Sequence, residues 1–264
     1  VLGVVRRQET ADYALAHGLV HEATLDTAAA LARADVTILC ATPQGIMDLL
    51  EEHHAHFKPG SLVTDVCGVK TAVLEKARLL PPEVDFIGSH PMAGTEFAGI
   101  EHALPTVFQG SNWIMVPRPE STGEHKAFIR RMARHVGCQD VREIPPERHD
   151  AIIAYTSQLM HVMALALCDQ HLLFDSYGFE GGSFRGATRV AALDPKLWCE
   201  LFWANRETLA DLTDELIERL SEYSALLHGG DRAALLERLT VSSDRKKKFD
   251  TLRGLDESQK PLFK

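Results

Sequence analysis

The sequence is poor in cysteine, and the cysteines that it has follow no recognisable spacing. Cys40, Cys67, Cys138, Cys168 and Cys199 are an odd number of widely separated thiols, and no two of them form a C-x-x-C pair. Disulfide-stapled folds and zinc knuckles depend on paired or closely spaced cysteines. We therefore expect reduced thiols, no metal site and a cytoplasmic location.

An excess of basic charge is also lacking. The chain has 28 basic and 37 acidic residues, which gives a formal net charge of −9 at pH 7. Its one dense basic run, DRKKKFD at 244–250, is typical of a solvated helix end. Because nucleic-acid binding needs an extended positive surface, we expect no nucleic-acid partner. The overall charge does not exclude a local basic pocket for one phosphate.

Long apolar runs are missing too. No run approaches the roughly 20 residues that cross a bilayer, so we expect no membrane partner. No basic segment precedes the first apolar residues, as it would in a signal peptide. The chain opens directly on VLGVV, which has the pattern of a buried strand. A strand at residue 1 leads us to expect that the natural protein begins earlier.

The first half of the chain alternates short apolar runs with helical patterns. Strands are predicted at VLGVV (1–5), DVTILCA (35–41), KPGSLVTDV (58–66), VDFIGS (84–89), SNWIMVP (111–117) and CQDVREI (138–144). Strands separated by helices at this spacing indicate βαβ units and a mostly parallel sheet. In such sheets ligands bind at the carboxyl ends of the strands.

After Pro145 the pattern is helical only. It predicts one long helix to about Leu173, a Gly-rich loop (DSYGFEGGSFRG), a second long helix from Pro195 to Gly229, and a further helix at DRAALLERL. The apolar faces are wider than a small domain needs, which predicts a homodimer through this half. We therefore predict an α/β protein with two domains. A Rossmann-like dinucleotide-binding domain at 1–145, lacking its first strand and Gly-rich loop, precedes an all-helical substrate and dimerisation domain at 146–264.

The G-x-G-x-x-G loop that cradles a pyrophosphate is absent from the sequence. VLGVV is then a second strand, whose end normally carries an acid for the ribose of NAD or an arginine for the 2′-phosphate of NADP. Arg6 and Arg7 stand at that place, so NADP is favoured over NAD. The alternative is that both are surface charges at a strand end. Thr42 and Pro43, in the turn after the next strand, are further candidates to line the cofactor groove.

Four other segments carry side chains with catalytic or binding chemistry. They are TDVCGVK (64–70), GSHPMAG with His90, TSQLMHV with His161, and GGSFRGATRV with Arg185 and Arg189. Taken singly, each has a structural explanation. Cys67 fits a small buried thiol better than a nucleophile. A lone histidine in an apolar helix is more often a core residue than a catalyst, and Arg189 could form an interface ion pair.

Taken together, the segments resemble the prephenate/arogenate dehydrogenase family of tyrosine biosynthesis. The matching stretches are VTDVCGVK, FIGSHPMAGTEFAGI, HDAIIAYTSQLMHV and GGSFRGATRVAALDPKLWCELFWANRETL, in this order and spacing. The resemblance implies an oxidative decarboxylation. A cyclohexadienol carbon gives a hydride to NAD(P)+, the ring carboxylate leaves as CO2, and a phenol results. It also implies that the Gly-rich turn precedes VLGVV.

The resemblance further implies roles for single residues. His90 matches the catalytic histidine, which hydrogen-bonds the substrate 4-hydroxyl and takes its proton; a neutral imidazole with a pKa near the working pH suits that task. Arg189 matches the arginine that grips a substrate carboxylate. The remaining predicted substrate contacts are His161, Gln158, Ser157 and Thr95, and the remaining predicted cofactor contacts are Asp65 and Gly68.

Two positions depart from the family pattern. Many members have a serine that hydrogen-bonds the catalytic histidine where this chain has Gly68, so a backbone group, a water or a neighbour such as Ser89 would have to replace it. Many members have a pocket histidine where this chain has Gln158, which keeps hydrogen bonding but loses a titratable charge.

Several functions remain open at this point. The leading hypothesis is a prephenate dehydrogenase, and an arogenate dehydrogenase, which accepts an ammonium in place of a keto group, is the nearest alternative. A generic NADP-dependent hydroxyacid dehydrogenase would not account for the HPMAG and SFRGATR segments together. A non-catalytic binding and dimerisation fragment is a hypothesis of another class, because the Gly-rich loop is absent.

Overall fold

The computed structural model describes residues 1–94 and 99–252. Packing divides the chain into two compact units. The first comprises Val1–Gln158 and Ala192–Leu209, and the second comprises Leu159–Ala191 and Ala210–Lys264. The chain thus passes from one unit to the other three times, whereas the predicted domains at 1–145 and 146–264 follow chain order.

The first unit contains all the strands that the described residues form. They are β1 (Leu2–Val4), β2 (Glu22–Thr24), β3 (Val36–Leu39), β4 (Leu62–Asp65), β5 (Asp85–Pro91), β6 (Asn112–Pro117) and β7 (Asp140–Glu143). β1 and β2 form a parallel pair, and the other five form a sheet in the order β3-β4-β5-β6-β7. Only the β5–β6 pairing is antiparallel. The predicted mostly parallel sheet is confirmed, with β2 as an added strand.

The helices of the described residues are α1 (Gln8–Ala16), α2 (Thr27–Arg33), α3 (Pro43–His53), α4 (Thr71–Lys76), α5 (Gly123–His135), α6 (Pro146–Ile153), α7 (Leu159–Cys168), α8 (Gly182–Thr188), α9 (Pro195–Ala204), α10 (Arg206–Gly229) and α11 (Arg232–Leu252). Several begin at side chains that accept a hydrogen bond from the first turn, as N-caps do: Asp26, Thr42, Thr122 and Asp194. In the second unit, α7 packs against α8 and against the 3₁₀ turn Arg189–Ala191.

The core of the first unit lies on both faces of the larger sheet. Adjacent residues of a strand point to opposite faces, so Val63 packs in one apolar cluster and Leu62 in the other. Phe86 and Ile87 of β5 divide between the two clusters in the same way. Burying each of these side chains stabilises the fold by about 1.5–3 kcal/mol. The same alternation decides which neighbours of His90 can reach its ring.

The two long helices that the sequence predicts are both interrupted. The first breaks at a π-helical turn, Ala154–Gln158, between α6 and α7. The second breaks at Asn205, between α9 and α10. The two breaks are joined, since Asn205 Nδ2 donates to Gln158 Oε1 at 2.9 Å. π-turns inside α-helices are frequent at functional sites.

The helical stretch Pro146–Cys168 is also long and apolar enough to cross a membrane, by length and composition. The sequence pattern predicts no such stretch, and the structure differs from that prediction. Only the length and the composition of the stretch suggest that it could cross a membrane. His149, Asp150 and Gln158 lie within the stretch, and all three are buried and hydrogen-bonded to other parts of the first unit. These bonds fix the first part of the stretch within the first unit.

Candidate active site

The candidate site lies at the carboxyl ends of β4 and β5. These two strands are parallel neighbours, with Thr64 opposite Ile87, so their carboxyl ends meet at one edge of the sheet. β5 continues four residues further than this pairing because it also pairs with β6, where His90 lies opposite Ile114. His90 is therefore held in a strand past the end of β4. Open parallel sheets bind their ligands at this edge.

His90 is the first member of a chain of three hydrogen-bonded side chains. Its Nδ1 lies 3.0 Å from Nε2 of His149, and Nδ1 of His149 lies 2.7 Å from Oδ1 of Asp150. The two rings meet edge to face, with centroids 5.2 Å apart. His149 and Asp150 belong to α6, and the sequence pattern predicted no role in the site for either of them.

Asp150 is a buried carboxylate that stays ionised. Burial raises its pKa, but hydrogen bonds from His149, Thr71 and Lys70 lower the pKa by more, so the net shift is downwards. The backbone N–H groups of Lys70 and Thr71, at the start of α4, each donate to the carboxylate at 2.8 Å. Asp150 thus fixes α6 to α4 and presents a negative charge to His149.

His90 itself stays neutral. Burial lowers its pKa most, the positive charge of Lys70 and the ring of His149 lower it further, and Asp150 opposes them, which brings the pKa from 6.5 to about 3. The expectation from the sequence was a pKa near the working pH, and the structure places it much lower. At physiological pH the ring of His90 is therefore uncharged, with one N–H donor and one nitrogen that can accept a proton.

This lowered pKa predicts a loss of stability in acid. Between about pH 6.5 and pH 3, the unfolded chain binds a proton at His90 that the folded protein does not bind. The free energy of unfolding therefore falls as the pH is lowered through this range, by about 2 kcal/mol at pH 5. Urea unfolding at pH 7 and pH 5 measures the loss. The loss should be smaller by that amount in H90N, and an equal loss in both proteins would contradict the shift.

Asp65 and Lys70 form a buried ion pair beneath His90. Both side chains are 0% exposed, and Lys70 Nζ donates to Asp65 Oδ2. The same carboxylate accepts from the backbone N–H groups of Cys67 at 2.9 Å and Ser89 at 3.1 Å. The carboxylate of Asp65 thus accepts from three donors inside the first unit, and its predicted cofactor contact stays a prediction.

Cys67, between these two residues, is also buried. Burial is the main cause that raises the pKa of its thiol to about 11, and the charge of Lys70 only partly offsets it. A thiol with this pKa is not a nucleophile near neutral pH. The structure agrees with the expected small buried thiol.

Gly68 faces the ring of His90. A methyl group at Gly68 would lie 3.9 Å from His90 Nε2 and 3.3 Å from Leu201 Cδ2. The absence of a side chain therefore leaves space beside Nε2. Ser89 does not replace the missing serine, because it points to the opposite face of β5, where Trp113 Nε1 donates to its hydroxyl at 3.0 Å.

Gln158 lies in the π-helical turn and is buried. Its Nε2 donates to the carbonyl of Leu201 at 3.1 Å, and its Oε1 accepts from Asn205. Asn205 also donates to the carbonyl of Asp150 at 3.0 Å. These bonds join α9 to the end of α6 through Gln158 and Asn205, and the predicted substrate contact of Gln158 stays a prediction.

Of the other predicted substrate residues, one lies in the first unit and two lie in the second. Ser157 is half-buried in the same π-helical turn. In the second unit, His161 is half-buried on α7, and Arg189 is exposed at the start of the 3₁₀ turn against which α7 packs. Thr95 lies outside the described residues. The substrate roles of these four residues stay predictions.

The predicted cofactor residues of the first unit lie at strand ends. Arg6 and Arg7 follow β1 after one residue and are exposed, and no hydrogen bond or ion pair joins their guanidinium groups to the described residues. Thr42 caps α3, with its hydroxyl 3.3 Å from the N–H of Gly45, and Pro43 is the buried first residue of that helix. The carboxylate of Glu200 accepts from the N–H of Gln44 in the same turn, at 3.0 Å.

Comparison with known proteins accounts for both halves of the chain. A family model described as "Prephenate dehydrogenase, nucleotide-binding domain" matches residues 1–141, and one described as "Prephenate dehydrogenase, dimerization domain" matches residues 145–241. The chain belongs to the prephenate dehydrogenase family. The resemblance seen in the sequence is therefore confirmed.

Relatives agree with this family. The prephenate dehydrogenase of Bacillus subtilis (strain 168) is 26% identical over 252 residues, which cover 92% of this chain and 67% of that protein. The structure of A. aeolicus prephenate dehydrogenase in complex with hydroxyphenyl propionate and NAD+ has a TM-score of 0.83 at 25% identity, over 94% of this chain and 88% of that chain. Synechocystis arogenate dehydrogenase has a TM-score of 0.79 at 28% identity, over 94% and 90%. The predicted fold is confirmed.

The first unit carries groups that fit a dinucleotide, as expected for a nucleotide-binding domain of the prephenate dehydrogenase family. Arg6 and Arg7 offer exposed charge at the carboxyl end of β1, where the ribose and its 2′-substituent bind in folds of this kind. His90 stands at the carboxyl edge of the larger sheet, where open parallel sheets bind their ligands.

Proposed function

We propose that this protein catalyses the oxidative decarboxylation of prephenate to 4-hydroxyphenylpyruvate, with hydride transfer to NAD(P)+, in tyrosine biosynthesis. The observation that carries the proposal is a neutral histidine, His90, at the ligand-binding edge of a nucleotide-binding domain of this family. The protein is an oxidoreductase, and its partner is a small molecule. We further propose a homodimer through its helical part and a cytoplasmic location, with no nucleic-acid or membrane partner.

The residues around His90 can perform the proton part of this reaction. A bound nicotinamide supplies the hydride acceptor. As the ring carbon loses hydride, its hydroxyl gains carbonyl character, and Nε2 of His90 takes the hydroxyl proton. The carboxylate then leaves as CO2, and its electron pair completes the aromatic ring. His90 returns the proton to the phenolate oxygen, so the imidazole is neutral again after each turnover.

A steady-state assay with prephenate and with arogenate, each with NAD+ and with NADP+, tests this proposal. Turnover of prephenate with release of CO2 is the expected result. A preference for arogenate would favour the second candidate, which the likeness to Synechocystis arogenate dehydrogenase supports. Inactivity towards both substrates would contradict the proposal and favour the non-catalytic fragment.

Of the two cofactors, we propose NADP over NAD. Its support is the pair of exposed guanidinium groups of Arg6 and Arg7, which can bind a 2′-phosphate through charge-assisted hydrogen bonds. We predict that R6A/R7A raises KM for NADP+ by about tenfold or more and leaves KM for NAD+ nearly unchanged. R33A is the matched control, because Arg33 is exposed in the same unit but is paired with Glu22. An equal effect on both cofactors would contradict the NADP proposal.

Arg189 is proposed to bind a substrate carboxylate, in keeping with the family pattern. We predict that R189A raises KM for the substrate by about tenfold to a hundredfold and changes kcat less, because a charge-assisted contact is lost. The control is R185A, since Arg185 is an exposed arginine one helical turn earlier. An unchanged KM in R189A would indicate a structural or interface role instead.

A further inference from the structure

We propose that His149 is the residue that positions His90, and that Asp150 sets the protonation of both rings through it. In this arrangement His90 carries its proton on Nδ1 and presents a bare Nε2 to the substrate. The catalytic consequence rests on the proposed function, whereas the protonation pattern can be measured without turnover.

The direction of the two hydrogen bonds follows from Asp150, the last of the three hydrogen-bonded side chains. Asp150 is an ionised carboxylate that already accepts from two backbone N–H groups, so it can only accept from His149. Nδ1 of His149 must then carry the proton of the 2.7 Å hydrogen bond. With His149 neutral and its proton on Nδ1, its Nε2 is an acceptor. Nε2 of His149 therefore accepts from Nδ1–H of His90 across 3.0 Å.

This pattern settles which nitrogen of His90 acts as the base. A neutral imidazole has one donor and one acceptor, so a proton on Nδ1 leaves the lone pair on Nε2. Nε2 is the nitrogen that faces Gly68, where the lack of a side chain leaves space. The proton acceptor and the open space thus coincide.

His149 is well held for such a role. Its side chain is 1% exposed, and both of its ring nitrogens are engaged within the chain of three residues. Asp150 is fixed in turn to the first turn of α4, at Lys70 and Thr71. An imidazole with one nitrogen bonded to a rigid carboxylate keeps a single tautomer and ring orientation. In family members that have a serine at the place of Gly68, the hydrogen bond from that serine orients the catalytic histidine.

The protonation pattern can be tested directly by ¹⁵N NMR of the histidine rings in the full chain, labelled with ¹⁵N-histidine. H90N and H149Q assign the two sets of signals. The expected result at neutral pH is a protonated Nδ1 and an unprotonated Nε2 in both rings. A proton on Nε2 of His90 would overturn the proposal, whether or not the protein turns over prephenate.

Two substitutions of His149 test the positioning role kinetically. H149Q places an amide oxygen near the position of Nε2, so it still accepts from His90, whereas H149F fills the space and accepts nothing. We expect H149F to lower kcat by about a hundredfold or more, with KM nearly unchanged, and H149Q to retain kcat to within about tenfold. A purely structural role would not produce this rescue by glutamine.

The matched control is another histidine paired with an aspartate. His125 lies 2.9 Å from Asp85, at the amino end of β5, which is the other end of the strand that carries His90. H125F and H125Q should leave kcat unchanged. If H149F retained kcat as H125F does, or if H149Q lost as much as H149F, the proposal would be wrong. Should H149F fail to fold, H149Q and the NMR experiment still decide.

Discussion

Substitution of His90 by asparagine is expected to lower turnover by about 10²–10⁴-fold, the range usual for loss of a general base. Asparagine places a polar atom near the position of Nδ1, so a hydrogen bond to His149 can persist, but it has no group at the position of Nε2. The proton of the substrate hydroxyl then has no acceptor. Steady-state kinetics with prephenate measure the loss in kcat.

The same variant should bind the cofactor normally, which separates a chemical defect from a folding defect. A Kd for NAD(P)H within about twofold of wild type, measured by fluorescence titration, is the expected result. H125N is the control variant, because His125 contacts Asp85 at the other end of the strand that carries His90. If H90N turned over prephenate at nearly the wild-type rate, His90 would be a structural residue, and the proposed chemistry would be wrong.

The resemblance to the family implied the catalytic role of His90, and this role stays a prediction. The apolar run before His90 predicts a strand at 84–89, and β5 extends that strand to Pro91, so that His90 lies within it. The neighbouring Ser89 was a candidate to orient the ring, but the alternation of side chains along a strand sends it to the other face. Strand alternation is by itself a sufficient reason to exclude Ser89 as the orienting residue.

The residues that hold His90 could not be predicted from the local sequence pattern. His149 is 59 residues away along the chain, and no periodicity relates it to His90. The signal available was the adjacent pair His149-Asp150 at the start of the segment HDAIIAYTSQLMHV, which belongs to the family pattern. By helical pattern alone, Asp150 is only a favourable charge in the first turns of a helix. Two adjacent polar residues in a largely apolar helix are better interpreted as buried and paired.

The missed breaks in the long helices have a similar cause. Helical periodicity continues through Asn205 and through the π-helical turn Ala154–Gln158, so the sequence predicted straight helices. The breaks depend on hydrogen bonds of Asn205 to Gln158 and to the carbonyl of Asp150, which are tertiary contacts. α8 was missed for a local reason, because its two glycines each lower helix propensity by about 1 kcal/mol.

Replacement of Lys70 by methionine is expected to destabilise the first unit by about 3–5 kcal/mol, because it leaves the buried carboxylate of Asp65 without a countercharge. Asp65 retains the N–H groups of Cys67 and Ser89, which stabilise the charge only in part. Urea unfolding of K70M and wild type at pH 7 measures the loss. The double variant D65N/K70M should be more stable than the sum of the single losses predicts, since the unpaired charge is gone.

A surface pair provides the matched control for this prediction. Lys58 and Asp35 are 2.6 Å apart, with side chains 44% and 85% exposed, so water stabilises either charge when the other is removed. K58M should therefore cost less than about 1 kcal/mol. A similarly small cost for K70M would contradict a buried charge pair between Asp65 and Lys70. The pKa of His90 gives a second readout, because Lys70 lowers it. In K70M the ring of His90 should titrate at a higher pH, and an unchanged titration would contradict the electrostatic role of Lys70.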